Sequence, residues 1–116
     1  MNTRDNQRRA ERKAADAPTP VTDVITGQVI GQVGNLSRTG MLMITAQAPR
    51  SEAIYQVRMT LPDSSRMLAR STAIEIGIQE QWHEAAASSG QIWAGYRIVA
   101  IDDDDAARLE GWLLQA

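Results

Sequence analysis

The chain has 116 residues, of which 43% are hydrophobic and 22% are charged, and its formal net charge is −2. This length and composition predict one globular domain and exclude an intrinsically disordered chain. With no cysteine, the chain has neither a disulfide framework nor a thiolate metal site. It also lacks an apolar run of membrane-spanning length and a hydrophobic leader, so we expect a cytoplasmic protein without membrane insertion.

The N-terminal segment is polar and basic. We expect residues 1–17 to form a flexible tail and residues 18–116 to form the folded domain. Within the tail, Arg8, Arg9 and Arg12 lie close together. A guanidinium can hold a phosphate through two hydrogen bonds, stack on a base, or pair with the O6 and N7 edge of guanine. Taken alone, such a basic run is more typical of a solvated tail.

Short β-strands are predicted after the tail, because apolar residues alternate and turn residues separate the runs. The predicted strands are 21–25, 28–33, 41–45, 54–61, 67–78 and 92–101. A hairpin turn is expected at 62–65 and a flexible stretch at 85–90. The last strand is apolar on both faces, which predicts a central or closing position in the sheet.

The hydrophobic period changes at the end of the chain. Ala106, Leu109 and Leu113 recur at helical spacing. We expect an aspartate among residues 102–105 to cap this helix, while its neighbours complement the positive end of the helix dipole. A metal site is disfavoured, because consecutive aspartates point in different directions and no histidine lies nearby. Six or seven strands followed by one helix predict a mainly β fold, a small closed antiparallel barrel with the helix over one opening.

A turn motif, NLSRTG at residues 35–40, stands between two of the predicted strands. Together with Arg8-xxx-Arg12 it resembles the RxxxR and (D/N)xSxxG motifs of the PilZ domain family. The segment GYRI at 95–98 is similar to the Gly-x-Arg-Φ element of the family's last strand, where Φ is apolar. The resemblance covers about residues 7–115. It implies a six-stranded PilZ-type β-barrel with a C-terminal helix that binds the bacterial second messenger cyclic di-GMP.

The resemblance also implies contacts with this ligand. Arg8 and Arg12 would clamp its phosphates and guanine edges, and Arg9 would assist from the same tail. Asn35 carries both a donor and an acceptor, so it would meet the mixed hydrogen-bonding edge of guanine. Because Gln7 stands where some family members have another arginine, one ligand molecule per site is favoured.

The remaining residues of the turn motif each have more than one interpretation. The Ser37 hydroxyl would bind phosphate or guanine, or equally would cap its own turn. Gly40 is expected to have a positive φ and to let the ligand approach the chain closely, although a plain hairpin glycine would look the same. Arg38 and Thr39, inside the turn, are additional candidate contacts.

These contacts suggest a binding switch. We expect the tail to be loose without ligand and to fold across the 35–40 turn when cyclic di-GMP binds, so that the ligand assembles its own site. The new surface would then be read by a downstream protein partner. The chain is expected to act as a monomer, without metal or cofactor.

An enzyme is not predicted. His83 is the single histidine, and no catalytic triad, phosphate-binding glycine loop or HExxH motif accompanies it. Trp82, Trp93 and Trp112 are expected to fill the core because the chain has no phenylalanine. Contact of Trp93 or Tyr96 with the ligand is left open.

Two other functions without catalysis are considered. One is a PilZ-fold interaction module that does not bind nucleotide, but such proteins lack the motif residues that this chain has. The other is a small nucleic-acid-binding β-barrel that uses the basic tail for phosphates. The acidic net charge and the lack of aromatic residues between basic ones disfavour nucleic acid as a partner.

Overall fold

The computed structural model describes residues 11–15, 17–62, 71–88 and 90–115. Its elements are β1 (Lys13–Ala14), β2 (Pro20–Asp23), β3 (Val29–Leu36), β4 (Gly40–Thr45), β5 (Ile54–Pro62), β6 (Ser71–Ala85), β7 (Ile92–Ala100) and α1 (Asp103–Leu113). Strands β2 to β7 pair in the order β3-β2-β5-β6-β7-β4, and a β3–β4 pairing closes the ring. The predicted closed, six-stranded antiparallel barrel with a C-terminal helix is confirmed.

The interior of the barrel follows the period-two pattern of the sequence. Alternate residues of β5 and β6 point inward and are almost fully buried, namely Val57, Met59, Leu61, Ile74, Ile76 and Ile78. Methionines from β4 fill the opposite wall, where Met41 and Met43 are also fully buried. Flexible and branched aliphatic side chains therefore fill the volume that phenylalanine occupies in many cores.

Strand β6 differs from its prediction. It is Ser71–Ala85 rather than 67–78, and it pairs with β7 as far as Ala85. The prediction ended too early because Glu80 occupies an inward position, so the apolar alternation stops although the strand continues. The predicted hairpin turn and the first residues of the predicted strand lie outside the described residues.

Helix α1 begins as predicted at an aspartate. The Asp102 carboxylate accepts a hydrogen bond of 2.7 Å from the Asp105 backbone N–H, and three more aspartates occupy the first turn. Leu109 and Trp112 are buried, and Trp112 Nε1 donates to the Pro62 carbonyl at 2.8 Å. The indole therefore fixes the helix to the end of β5. Within the described residues no helix is long and apolar enough to cross a bilayer.

The barrel makes its first contacts earlier than the sequence predicts. In β1, Lys13 pairs with Leu36 and Ala14 pairs with Asn35. Lys13 Nζ donates to the Trp112 carbonyl at 2.7 Å and lies 4.2 Å from the centroid of the Trp112 ring. Composition alone predicts the tail boundary at residue 17, and composition carries no information about a contact with a helix 99 residues further along the chain.

Candidate functional site

The candidate site is a recess on the outer face of the barrel, where β4 pairs with β7. On this face Gly40 is opposite Arg97, and Leu42 is opposite Gly95. Each pair contains a glycine, and the Trp82 ring of β6 occupies the space that a Gly95 side chain would need. The cavity at this face has a volume of about 510 Å³. This lies within the roughly 300–1,000 Å³ of small-molecule sites.

Arg12 joins the two sequence motifs at this recess. Its Nη1 donates to Asn35 Oδ1 at 2.8 Å. The pairing of Ala14 with Asn35 in the β1–β3 ladder brings the chain to this position. The guanidinium also reaches Gly40, since a Cβ there would lie 3.4 Å from Arg12 Nη2. Arg12, Asn35 and Gly40 therefore meet, whereas Arg8 and Arg9 lie outside the described residues.

Ser37 organises the turn of the second motif. Its backbone N–H donates to the Gly40 carbonyl at 2.9 Å, and its Oγ accepts from the backbone N–H groups of Thr39 and Gly40 at 3.2 and 3.1 Å. The side chain is fully buried. Of the two roles that the sequence left open, this geometry is that of the turn cap.

The predicted positive φ of Gly40 is wrong. Among the described residues the glycines with positive φ are Gly27 and Gly90. What requires glycine at position 40 is the neighbouring strand, because a Cβ would lie 2.7 Å from the Tyr96 carbonyl oxygen. This constraint comes from a residue far along the chain, so a reading of the local turn does not reveal it.

The tip of the turn is exposed and is fixed to β7. The Thr39 carbonyl accepts from the Ile98 backbone N–H at 2.8 Å, and Thr39 borders the cavity. Arg38 is exposed beside it. The turn is therefore attached to both strands that form the floor of the recess.

Two exposed tryptophans border the same cavity. Trp82 is 47% exposed and Trp93 is 39% exposed, whereas Trp112 is 1% exposed. The prediction of three core tryptophans is therefore correct only for Trp112. Trp82 lies over Gly95, since a Cβ on Gly95 would be only 2.5 Å from Trp82 Cε2. Successive residues of a strand point to opposite faces. Because Ala94 is buried, its neighbour Trp93 is on the outer face.

The recess has positive charge on two sides. Arg12 immediately precedes β1, and Arg97 is on β7, where its Nη2 donates to Gln79 Oε1 at 3.0 Å. Arg97 is not predicted from the sequence as a ligand contact, although it belongs to the GYRI segment. The neighbouring residue Tyr96 is 4% exposed and belongs to the core. Tyr96 also borders the cavity.

The single histidine is not part of this recess and contacts Glu80. His83 Nδ1 lies 2.8 Å from Glu80 Oε2, and Glu80 Oε1 accepts from the Glu52 backbone N–H at 2.8 Å. The backbone hydrogen bond from Glu52, followed by the one from His83, lowers the pKa of the Glu80 carboxyl. No group of three or more acidic or histidine side chains in the described part of the chain is arranged to hold a metal ion.

A larger cavity, of about 840 Å³, lies between β3 and β4 at one mouth of the barrel. Its lining within the described residues is uncharged, with Gln28, Gln32 and Tyr55 among the side chains. A ligand with phosphates needs cationic partners. The smaller recess, which Arg12 and Arg97 border, is therefore the better candidate for an anionic ligand.

The barrel and its helix have a PilZ-like fold. The structure is similar to that of the Bacillus subtilis inhibitor of motility (MotI/DgrA), with a TM-score of 0.71 and 17% sequence identity. The alignment covers 92% of this chain and 49% of that chain, so this chain spans about half the length of that protein. No protein-family model matches the sequence. No curated protein matches it either.

Proposed function

We propose that this protein is a cyclic di-GMP receptor and that the ligand binds in the recess between Arg12 and Arg97. The hydrogen bond between Arg12 and Asn35 is the observation that carries this proposal. It joins a residue of the RxxxR motif to the first residue of the NxSxxG motif. The PilZ-like fold supports the same function.

The chemistry of the recess suits a dianionic ligand with guanine bases. Arg12 has five N–H donors, and its bond to Asn35 uses one, so the others would bind a phosphate or the O6 and N7 edge of guanine. The Asn35 amide N–H₂ group would donate to a guanine acceptor. Arg97 would hold phosphate from the opposite side.

The proposed mechanism is a closing of the N-terminal segment over the ligand. Lys13 and Arg12 contact the helix and the barrel, so the proposed closing concerns the residues before them, including Arg8 and Arg9, which lie outside the described residues. Folding of a segment on binding typically costs about 2–5 kcal/mol. A protein partner would recognise the surface that the ligand and this segment form together. The protein would act by binding and not by catalysis.

Titration calorimetry with cyclic di-GMP, GTP and single-stranded DNA tests this function. We expect cyclic di-GMP to bind with micromolar or lower Kd, and Arg12→Ala to weaken binding at least tenfold, because a charge-assisted hydrogen bond contributes about 1.5–3 kcal/mol. Asn35→Ala would weaken it in the same direction. Arg58→Ala is the matched control, since Arg58 is an exposed arginine on β5 that pairs with Glu75.

The proposal fails if folded protein gives no heat with cyclic di-GMP at tens of micromolar. Heat with single-stranded DNA alone would instead favour a nucleic-acid-binding barrel. Equal losses in Arg12→Ala and Arg58→Ala would show general charge attraction, not a site at the recess.

A further inference from the structure

The larger cavity, of about 840 Å³, is at the opening of the barrel opposite helix α1. Trp112 fixes α1 to Pro62 at the end of β5, whereas Tyr55, near the beginning of the same strand, borders the cavity. Helix α1 therefore leaves this opening uncovered. Mouths of β-barrels are common positions of small-molecule sites, and the volume lies within the usual range of roughly 300–1,000 Å³.

Two tyrosine rings form the floor of this cavity. Tyr55 of β5 and Tyr96 of β7 both border it, and their ring centroids are 6.1 Å apart with an angle of 78° between the ring planes. Tyr96 is 4% exposed, and its strand partners Met41 and Glu80 are buried. The Tyr96 side chain is therefore on the inner face of the barrel, away from the recess on the outer face.

The Tyr96 hydroxyl has hydrogen-bonding capacity that the protein does not use. Each side-chain polar atom that is wholly buried within the described residues has a hydrogen-bond partner. The Tyr96 hydroxyl makes no hydrogen bond with the described residues, so it is not wholly buried and faces the open space of the cavity. Burial, and then the neighbouring Tyr55 and Glu80, raise the pKa of this hydroxyl. It therefore stays protonated and can both donate and accept.

Side-chain amides from three separate segments surround the mouth of the cavity. Gln28 immediately precedes β3, Gln47 follows β4, and Gln91 immediately precedes β7. All three are exposed, and their amides make no hydrogen bonds with the described residues, whereas those of Gln56 and Gln79 do. Each amide offers two N–H donors and a carbonyl acceptor. The mouth therefore has donors and acceptors in equal reach of a ligand.

The residues that border the cavity in the described part of the chain carry no charge. Burial of an ionised group without a paired charge is costly, so this lining disfavours a charged ligand. It suits a neutral molecule that has many groups able both to donate and to accept. Hydroxyl groups have this property, and a ring with apolar C–H faces would also pack on the tyrosines.

We propose that this cavity is a second ligand site and that it binds a neutral saccharide. The sugar hydroxyls would pair with the Tyr96 hydroxyl and with the amides of Gln28, Gln47 and Gln91. The C–H face of a sugar ring would pack on Tyr55. The proposal does not depend on the binding of cyclic di-GMP in the recess.

The test is a ¹H–¹⁵N NMR titration of the full chain with D-glucose, maltotriose and D-glucuronate. We expect glucose or maltotriose to shift the amides of 28–33, 44–47 and 91, with a Kd of about 1 mM or lower. The amides of Asn35 and Leu42, at the recess, should not shift. D-Glucuronate should bind at least tenfold more weakly than glucose, because the cavity has no cation for its carboxylate. Tighter binding of maltotriose than of glucose would identify a saccharide chain, and equal binding a single sugar.

Three variants test the contacts one at a time. Tyr96→Phe removes the hydroxyl and keeps the ring, and the barrel should stay folded because the hydroxyl has no partner among the described residues. We expect Tyr96→Phe, Gln28→Ala and Gln91→Ala each to weaken saccharide binding about threefold to tenfold, the effect of one lost neutral hydrogen bond. Gln81→Ala is the matched control, since Gln81 is an exposed glutamine at the recess. It should bind saccharide like the natural protein.

Four outcomes would overturn the proposal. They are no shift with any of the three sugars at tens of millimolar while the protein is folded, shifts confined to the recess, equal affinity of the three variants and the natural protein, and equal losses in Gln81→Ala and Gln28→Ala. Shifts with the neutral peptide N-acetyl-trialanine amide and none with the sugars would also overturn it, in favour of an extended partner chain. Each outcome can be read whether or not the recess binds cyclic di-GMP, so failure here is distinct from failure of the proposed function.

Discussion

Glu80 is a carboxylate on an inward position of a barrel strand, and both of its oxygens have partners. One accepts from the backbone N–H of Glu52, which has a φ of 62°, and the other contacts His83 Nδ1. Residues other than glycine and asparagine rarely adopt this left-handed conformation. The Glu80 carboxylate therefore helps to hold the unusual backbone of the turn before β5.

The first prediction concerns the pH dependence of this residue. Because its pKa in the folded protein lies below the ordinary value of 4.5, ionised Glu80 stabilises the fold above that value, and this stability is lost as the pH falls through the folded pKa. In urea unfolding curves between pH 7 and pH 3, Glu80→Gln should therefore lose less stability on acidification than the natural protein.

The control for this prediction is Glu84→Gln, an exposed glutamate on the same strand. Its stability should follow that of the natural protein at every pH. Other carboxylates also contribute to acid unfolding, and the pKa of Glu75 is lowered as well, mainly by its hydrogen bond from Gln56. Parallel curves for Glu80→Gln and Glu84→Gln would contradict the prediction.

At the scale of elements, Lys13 interacts with the C-terminal end of helix α1. The helix has three acidic residues in its first turn and no basic residue in its last turn. The Lys13 ammonium supplies the cation that the negative end of the helix dipole favours, and it also contacts the face of the Trp112 ring. The short strand β1 thus connects the candidate site to the C-terminal end of the helix.

We expect Lys13→Met to lower the free energy of unfolding by about 1–2 kcal/mol, because both the charge–dipole and the cation–π interactions are lost. The difference should diminish at high salt. Urea unfolding at two salt concentrations measures it. Arg50→Met, at an exposed loop position, should change stability by less than about 0.5 kcal/mol. Equal stability of the two variants would contradict the role of Lys13.

Sequence patterns predicted the strands well and the orientation of the large aromatic residues poorly. Alternation identified the inward residues of β5 because one face of that strand is polar. In β7 both faces carry apolar residues, so the large side chain of Trp93 is the one reason to predict that it lies in the core. Trp82 follows Glu80, where the alternation had already ended. The two motifs predicted Arg12 and Asn35 as contacts of one ligand but not the hydrogen bond between them, and the glycine requirements at 40 and 95 depend on strand pairing.

At the scale of the whole molecule, the barrel is a ring in which β3 and β4 close the sheet. Met43 is at this closure, paired with Val33 on one side and Ala94 on the other, and it is fully buried. A closed ring leaves no strand of the barrel with a free edge. Loss of packing at the closure should therefore affect all six strands together.

We expect Met43→Ala to reduce the free energy of unfolding by about 2–5 kcal/mol and Met43→Leu by less than about 1.5 kcal/mol. Far-ultraviolet circular dichroism and tryptophan fluorescence should give coincident urea transitions in both variants, since the ring unfolds as one unit. Two separated transitions would show that part of the barrel unfolds independently.

Lys13 is the single lysine of the chain. Its side-chain amine hydrogen-bonds to a helix carbonyl and lies over an indole ring. An amine-directed reagent therefore has one side-chain target, and we expect that target to react faster when the end of α1 separates from β1. The mass added at this position over time would report how often the contact opens, without any substitution in the protein.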